Sequence, residues 1–214
     1  MEIYQCIVCN ECFPTGFSEL LSGETGICPE CYRNMDKFKT PMALDEMGVT
    51  CISAYPYTGI LKKAFLRYKF FGEQAYHRIF AVLFSDTLPL RSEDFDIVIP
   101  VPISRQRMNE RGYNQTALFA KIVAKKMGLE YSEPALLRKR NTQKQSMLAA
   151  RDRLKNVEDA FYADYRVVEG KRVLLIDDIH TVGATMYECA KTLKNAGAKS
   201  VVGAVLFKSI KGGC

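Results

Sequence analysis

The stretch VLLIDDIHTVGAT, residues 173–185, decides the fold of this chain. Its first four residues, 173–176, are all apolar and do not alternate with polar ones, a pattern typical of a strand buried on both faces in a parallel sheet. We therefore expect Asp177 and Asp178 to lie at the carboxyl end of this strand. In open α/β sheets that end borders the crevice where ligands bind, so the two carboxylates are candidate ligand contacts.

The chain has 214 residues, of which 48% are hydrophobic, and this is enough for one α/β domain of ordinary size and a small accessory module. No apolar run is long enough to cross a bilayer, and the N-terminus has neither a basic segment nor a long apolar stretch. We expect a cytoplasmic protein with no membrane span.

Two strand–loop–helix units follow one another in the second half of the chain. The first has a strand over residues 97–101 and a helix that stops at Gly128, and the second begins in the opening stretch and leads to a closing strand. This order predicts an α/β domain over residues 41–214. The first 40 residues, rich in cysteine and turn residues, are predicted to form a separate module, with residues 40–46 as the joint because Pro41 blocks a continuing helix.

The net charge of +6 is concentrated in residues 138–155. This segment lacks a clean helical or strand pattern over its first half, so we expect a long, mobile loop, of the kind that is usually functional or disordered. Such a charge attracts phosphates on a small molecule or along a nucleic acid, although a solvated helix face is the alternative. The candidate DNA contacts in it are Arg138, Lys139, Arg140, Lys144, Arg151 and Arg153.

The residues after the acidic pair have the composition of a phosphate-binding turn. Backbone N–H groups at a helix start bind anions, helped by the helix dipole and by threonine hydroxyls, and Gly183 permits close approach. The carboxylates of Asp177 and Asp178 suit a vicinal diol or a Mg²⁺ ion, so the combination points to a ribose phosphate. His180 is either a further ligand contact or an exposed loop residue. The turn itself consists of Thr181, Val182, Gly183, Ala184 and Thr185.

The opening stretch resembles the phosphoribosyl diphosphate (PRPP) signature of the type I phosphoribosyltransferases, with apolar residues, two acids and a loop of Thr and Gly. The resemblance implies that Asp177 and Asp178 are the catalytic acids, contacting the ribose hydroxyls, and that the loop holds the 5′-phosphate. Val182 departs from the pattern, since a threonine is usual there. A receiver domain would need more strands downstream, a Walker B strand would need a P-loop that the sequence lacks, and a plain buried strand is the remaining alternative.

Four cysteines have the spacing of a zinc site. Cys6 and Cys9 form one C-x₂-C pair and Cys28 and Cys31 a second, separated by 18 residues. Two such pairs turn four thiolates toward one tetrahedral Zn²⁺ ion, which would hold the N-terminal module together. Cys12 competes with Cys6, because it also forms a C-x₂-C pair with Cys9. An iron–sulfur cluster and plain buried thiols are the other interpretations.

Nearly the whole chain resembles the ComF family of bacterial competence proteins. The blocks RGYNQ (111–115) and DDIHTVGAT (177–185) are the specific parts, and Arg111, Asn114 and Gln115 match the first. The resemblance implies a type I phosphoribosyltransferase-like fold and a role with incoming single-stranded DNA. It also implies that residues 138–155 are a flexible lid over the site. The diphosphate loop would run from Val101 through Pro102, Ile103, Ser104 and Arg105.

Two functions fit these features. The favoured one is a competence protein that handles single-stranded DNA, binds PRPP with Mg²⁺ and contacts other competence or DNA-processing proteins. The alternative is an active, Mg²⁺-dependent phosphoribosyltransferase that displaces diphosphate from PRPP with an unidentified nucleophile. We do not expect a glutamine-dependent amidotransferase, because these 214 residues contain no glutaminase domain and residue 2 is Glu where that domain has its N-terminal cysteine.

Overall fold

A six-stranded sheet forms the centre of the computed structural model, which describes residues 3–6, 8–14, 27–35, 39, 41–46, 48–70, 76–140 and 150–210. A short antiparallel pair, β1 (Ile3–Gln5) and β2 (Cys12–Pro14), precedes the sheet. The sheet order is β3-β4-β10-β9-β5-β6, parallel throughout except for β3 at one edge. Its strands are β3 (Met42–Glu46), β4 (Val49–Pro56), β5 (Ile97–Pro100), β6 (Glu130–Tyr131), β9 (Arg172–His180) and β10 (Ser200–Lys208).

Helices cover both faces of this sheet, as the predicted α/β fold requires, and that prediction is confirmed. One face carries α2 (Gly59–Phe70), α3 (Tyr76–Thr87) and α5 (Gln115–Met127). The other carries α6 (Ala150–Val157), α7 (Tyr165–Val168), α8 (Ala184–Asn195) and a hairpin of β7 (Leu136–Arg138) and β8 (Phe161–Ala163). The two remaining helices are α1 (Pro29–Met35) and α4 (Arg105–Arg111).

Strand β9 is buried on both faces, as its uninterrupted apolar run predicts. Leu174 and Ile176 pack in the cluster on the α2–α3–α5 side, and Val173 and Leu175 pack in the cluster on the α8 side. All four side chains are fully buried. The run therefore places β9 in the middle of the parallel part of the sheet, between β10 and β5.

The N-terminal residues share the first of these apolar clusters. Cys6, Val8, Ile27 and Met35 are buried and belong to the same cluster as Phe65 of α2 and the phenylalanines of α3. A guanidinium nitrogen of Arg67 also donates to the Val8 carbonyl, at 3.4 Å. The division of the chain at residue 40 stays a prediction, and these contacts show that the described N-terminal residues pack on the larger domain.

Three expected boundaries differ from the structure. The predicted joint contains β3, which pairs along the edge of β4. The second half of the basic segment forms α6, whose last residue, Val157, is fully buried in the cluster on the α8 side. Strand β9 extends four residues beyond Ile176, because its pairing with β10 continues as far as His180. In each case a tertiary contact stabilises structure that local sequence preference does not indicate.

Within the described part of the chain, no helix has the length and apolarity needed to cross a bilayer.

An ion pair joins the beginnings of β5 and β9, the two strands that border the candidate site. The carboxylate of Asp96, just before β5, accepts hydrogen bonds from the backbone amide of Arg172 and from its guanidinium, at 2.7–3.0 Å. Arg172 also bonds to the Glu93 carbonyl. The Arg172 side chain and backbone amide hold the pKa of Asp96 well below its usual range. This contact stabilises the parallel register in which Ile97 lies opposite Val173.

We expect Asp96→Asn to lower the free energy of unfolding at neutral pH, with a difference from wild type that shrinks on acidification. Because the folded-state pKa lies below that of an unfolded aspartate, about 3.9, the carboxylate stabilises the fold above that value and loses this effect as pH falls through the folded pKa. Urea unfolding followed by circular dichroism from neutral to strongly acidic pH measures the difference. Arg172→Met, with Asp96 retained, should reproduce most of it. A difference that stays constant across the acid range contradicts the assignment.

Candidate functional site

The chain leaves two adjacent strands in opposite directions at the centre of the sheet. After β5 it passes through α4 and α5 to β6 on one side, and after β9 it passes through α8 to β10 on the other. Such a reversal opens a crevice between the two loops, outside the carboxyl ends of the strands, and ligands of open α/β sheets bind at this point. We call it the switch crevice, bordered by residues 101–105 and 177–185.

The hydrogen-bond register sets where the crevice begins. Pairing between β9 and β5 ends where Ile176 lies opposite Pro100, with a last bond from the Val101 amide to the Ile176 carbonyl at 2.8 Å. Pairing between β9 and β10 continues to His180 opposite Lys208. In the described part of the chain, β9 therefore has no strand partner on its β5 side beyond Ile176. Asp177 and Asp178 lie in this stretch, among the last four residues of β9, at the carboxyl end of the strand.

A hollow with an empty volume of about 290 Å³ lies at the end of β9, against the start of α8. Gly183, the residue before α8, has the left-handed conformation, with a φ of 69°, and as a glycine it has no side chain to cap the helix. The first amides of a helix have no partner within it, so those of α8 can bind an anion. The residues that line the hollow are Asp177, Ile179, His180, Thr181, Gly183, Ala184, Thr185, Met186 and Val205. Val182 is half-buried against the cluster on the α8 side.

The two carboxylates have different surroundings. Asp177 lines the hollow on the α8 side, and one of its oxygens accepts a hydrogen bond from the Asp178 amide at 2.7 Å. Neighbouring residues of a strand point to opposite faces, and Asp178 interacts with groups on the other side. Burial and then the charge of Asp178 raise the pKa of Tyr57, whose ring packs against the α2–α3–α5 cluster. The acidic pair thus presents one carboxylate to each face.

The positive charge of Arg111 interacts with the negative charge of Asp178. Burial and the nearby charge of Arg107 lower the pKa of Arg111, while Asp178 opposes the decrease. One guanidinium nitrogen of Arg111 donates to the side-chain oxygen of Gln115 at 3.0 Å. This part of the RGYNQ block therefore supplies a cation that interacts electrostatically with the second acid.

Asn114 of the same block positions the loop after β5. Its side-chain nitrogen donates to the Val101 carbonyl at 3.1 Å, and its side-chain oxygen accepts from the Thr116 amide and caps α5. Ser104, assigned to the diphosphate loop, caps α4 by accepting from the Arg107 amide. Among the other residues assigned to that loop, Val101 is buried, Pro102 and Ile103 are half-buried and Arg105 is exposed.

His180 is buried in the structure, at the last position of β9. Its Nδ1 lies 2.9 Å from Nζ of Lys208, the last residue of β10. The alternative of an exposed loop position is therefore wrong. Sequence reasoning missed Lys208, because its place beside His180 depends on the parallel register of β10 with β9.

The basic segment does not present its described cations on one surface. Arg138 lies on the inner face of the β7–β8 hairpin, 5.3 Å from the centre of the Phe161 ring, and burial lowers its pKa. Arg140 donates to the carbonyls of Asn156 and Glu158, at 3.3 and 2.7 Å, and so closes the end of α6. Lys139 is exposed. Lys144 lies outside the described residues, and the backbone of Arg151 and Arg153 lies in α6.

The four predicted cysteines come together. Sulfur atoms of Cys6, Cys9, Cys28 and Cys31 all lie within 4.8 Å of one another, an arrangement that can hold a metal ion. The Cys28 amide donates to Cys6 Sγ at 3.2 Å, and the Cys31 amide donates to Cys28 Sγ at 3.4 Å. Cys12 is exposed in β2 and is not part of this group among the described residues. The structure therefore selects Cys6 over Cys12.

The electrostatics of these thiols favour a bound cation. Burial opposes ionisation of Cys6, yet hydrogen bonds from the amides of Cys28, Cys9 and Val8 outweigh it and lower the pKa of this thiol. Burial raises the pKa of Cys9, and burial together with the neighbouring sulfurs raises that of Cys31. Four thiolates this close repel one another, so all four ionise together only around a positive ion.

Comparison with known proteins connects this geometry to described families. Residues 115–213 match the family described as "Phosphoribosyl transferase domain". The chain is 29% identical over 221 residues to the competence protein ComFC of Streptococcus pneumoniae (strain ATCC BAA-255 / R6), covering 92% of this chain and 96% of that protein. It is 33% identical over 106 residues to the DNA utilization protein YhgH of Escherichia coli O157:H7, covering 50% of this chain and 46% of that protein. The match thus spans less than half of YhgH.

Among solved structures, the chain is similar in fold to the glutamine PRPP amidotransferase from B. subtilis. The two are 20% identical, with a TM-score of 0.46, and the match covers 65% of this chain and 30% of the other.

Proposed function

We propose that this chain, a homologue of the ComFC competence proteins with a phosphoribosyl transferase domain, handles single-stranded DNA and binds PRPP or a related ribose phosphate. The observation that carries the ligand proposal is the switch crevice. There the hollow beside Asp177 adjoins the uncapped start of α8, so a hydroxyl acceptor and a set of anion-binding amides lie together.

Each wall of the crevice has a role in this proposal. The turn at residues 181–185 binds the 5′-phosphate through backbone amides and the hydroxyls of Thr181 and Thr185. Asp177 and Asp178 accept hydrogen bonds from the ribose hydroxyls, and residues 101–105 lie where the diphosphate would extend. The carboxylates are oxygen donors that fit Mg²⁺, which would neutralise the diphosphate when bound.

Turnover is the second candidate function, and the placement of two arginines favours it. The charge of Arg111 interacts with that of Asp178, and the charge of Arg138 interacts with that of Asp177. In such a reaction the bond between ribose C1 and the diphosphate oxygen breaks, a bond from the acceptor to C1 forms, and the diphosphate leaves with the electron pair. Cations near the leaving group stabilise the charge that develops there.

The DNA part of the proposal is supported by the relatives' names and by charge. One relative is named a competence protein and another a DNA utilization protein. The net charge of residues 138–155 equals the +6 of the whole chain, and a segment of this charge attracts a polyphosphate backbone. Among the described residues of this segment, the lysines Lys139 and Lys155 are exposed.

We also propose that the four-cysteine group holds a structural Zn²⁺ ion. Four cysteine thiolates in a tetrahedral arrangement are a usual ligand set for zinc. Because protein ligands fill all four positions, such a site stabilises a fold and has no open position for a reaction. Cys6 lies in the same apolar cluster as α2 and α3, so the ion would stabilise the packing of the N-terminal residues on the larger domain.

Calorimetric titration with PRPP and Mg²⁺ tests the crevice. We expect Asp177→Asn and Asp178→Asn each to weaken binding by about tenfold or more, because a charge-assisted hydrogen bond to a hydroxyl is lost. Asp86→Asn is the matched control, since Asp86 pairs with Lys126 between α3 and α5, outside the hollow. Equal affinity in all four proteins removes the ligand proposal. Release of diphosphate with candidate acceptors, measured on the same proteins, tests turnover.

Single-strand binding across a salt series tests the electrostatic DNA role. We expect the affinity to fall steeply with salt, with each neutralised phosphate contributing about 0.7 to the logarithmic slope. Lys139→Gln should reduce the slope by about that amount. Lys194→Gln, which removes an exposed lysine from the far end of α8, should leave it unchanged. Absent or salt-insensitive binding contradicts the role.

Metal analysis of protein purified without chelator tests the zinc site. We expect one zinc ion per chain in wild type and in Cys12→Ser, and loss of the metal with lower thermal stability in Cys9→Ser and Cys28→Ser, which remove a ligand from the group. A chelator should destabilise wild type in the same way. Stoichiometric iron with visible absorbance, or no stoichiometric metal, refutes the zinc assignment.

A further inference from the structure

The outer face of the β7–β8 hairpin exposes an aromatic and apolar surface that the functions above do not use. Leu136 and Ala163 pair on the buried face, as do Arg138 and Phe161, whereas Leu137 and Tyr162 pair on the outer face. Leu137 is 48% exposed and Tyr162 is 50% exposed. Tyr165, at the start of α7, is 54% exposed. Large side chains exposed together in this way indicate an interaction site.

Cations accompany these rings. The Arg166 guanidinium lies 5.7 Å from the centre of the Tyr165 ring. Lys139 is exposed and follows Arg138 directly after the end of β7, where its backbone amide donates to the Ala160 carbonyl at 2.9 Å, two residues before Tyr162. We call Leu137, Lys139, Tyr162, Tyr165 and Arg166 the tyrosine face.

One acid of this region is already engaged. Asp164, between the two tyrosines, caps α7 by accepting a hydrogen bond from the Arg166 amide at 3.0 Å. The carboxylate is thus bound to the helix start, and the exposed ends of Lys139 and Arg166 give the tyrosine face a positive character.

We propose that the tyrosine face binds single-stranded DNA, with bases stacked on Tyr162 and Tyr165 and the backbone phosphates held by Lys139 and Arg166. This inference rests on the DNA part of the proposed function and places its binding site. Charge complementarity selects this occupant, because a polyanion with exposed base faces uses both the rings and the cations. The face also continues directly from the basic segment, since Lys139 belongs to both.

Stacking adds a contribution that charge alone does not supply. Base–aromatic stacking depends little on ionic strength, whereas each phosphate contact releases counterions and weakens with salt. Loss of a tyrosine should therefore weaken binding by a similar factor at every salt concentration. Loss of a cation should instead change the slope of the logarithm of affinity against the logarithm of salt concentration.

The test is fluorescence anisotropy of a labelled oligothymidylate with the full chain over a salt series. We expect Tyr162→Ala and Tyr165→Ala each to weaken binding about tenfold with the salt slope unchanged. Tyr162→Phe and Tyr165→Phe keep the ring and should bind within about threefold of wild type. Tyr162→Leu and Tyr165→Leu keep apolar area without the ring, so they should bind as weakly as the alanine variants. A base-free oligonucleotide of the same length should bind wild type and the alanine variants equally.

Three results overturn the inference. If wild type binds the oligothymidylate and the alanine variants bind as tightly, the tyrosine face is not the DNA site, although the DNA role stands. If leucine restores binding as well as phenylalanine does, the contact is apolar docking without stacking. If wild type binds no single strand, the DNA part of the proposed function fails together with the inference. Matching thermal melting curves establish that the variants, all at exposed positions, are folded.

Discussion

The site depends on one asymmetry in the pairing of β9. Its hydrogen bonds to β10 run to its last residue, whereas those to β5 stop at Ile176. Asp177, Asp178 and His180 therefore lie beyond Ile176, the last residue of β9 that pairs with a strand on both sides. Because the following loops turn in opposite directions, the gap stays open as a crevice and the start of α8 borders it. The Asp96–Arg172 ion pair at the other end of the two strands stabilises the register that produces this offset.

The consecutive acids divide their charge between two environments. Asp177 lines the hollow on the α8 side, and Asp178 interacts with Arg111 and Tyr57 on the other. Each acid thus interacts electrostatically with an arginine, since the charge of Arg138 also interacts with that of Asp177. Arg138 belongs to the basic segment and packs on Phe161 at the inner face of the hairpin, whereas the next residue, Lys139, is exposed.

Burial also explains how the N-terminal cysteines relate to the rest of the chain. Cys6 is fully buried in the cluster that contains Phe65 and Phe80, and its sulfur accepts a hydrogen bond from the Cys28 amide. The group that can hold a metal therefore lies against the core of the larger domain. A metal there would tie the segment that contains β1 and β2 to the segment that contains α1.

The sequence by itself determined the α/β class, the buried central strand and the four clustered cysteines, because each depends on residue type at short spacing. An apolar run without alternation has to be buried on both sides, and two C-x₂-C pairs turn their sulfurs toward one point. Only the tertiary structure decided that β9 continues through the acids to His180, that Cys6 and not Cys12 joins the group, that Lys208 meets His180 and that Arg138 turns inward. It also paired Tyr162 with Leu137 on the exposed face of the β7–β8 hairpin. These features depend on strand register and on contacts between residues far apart in the chain, which no local pattern encodes.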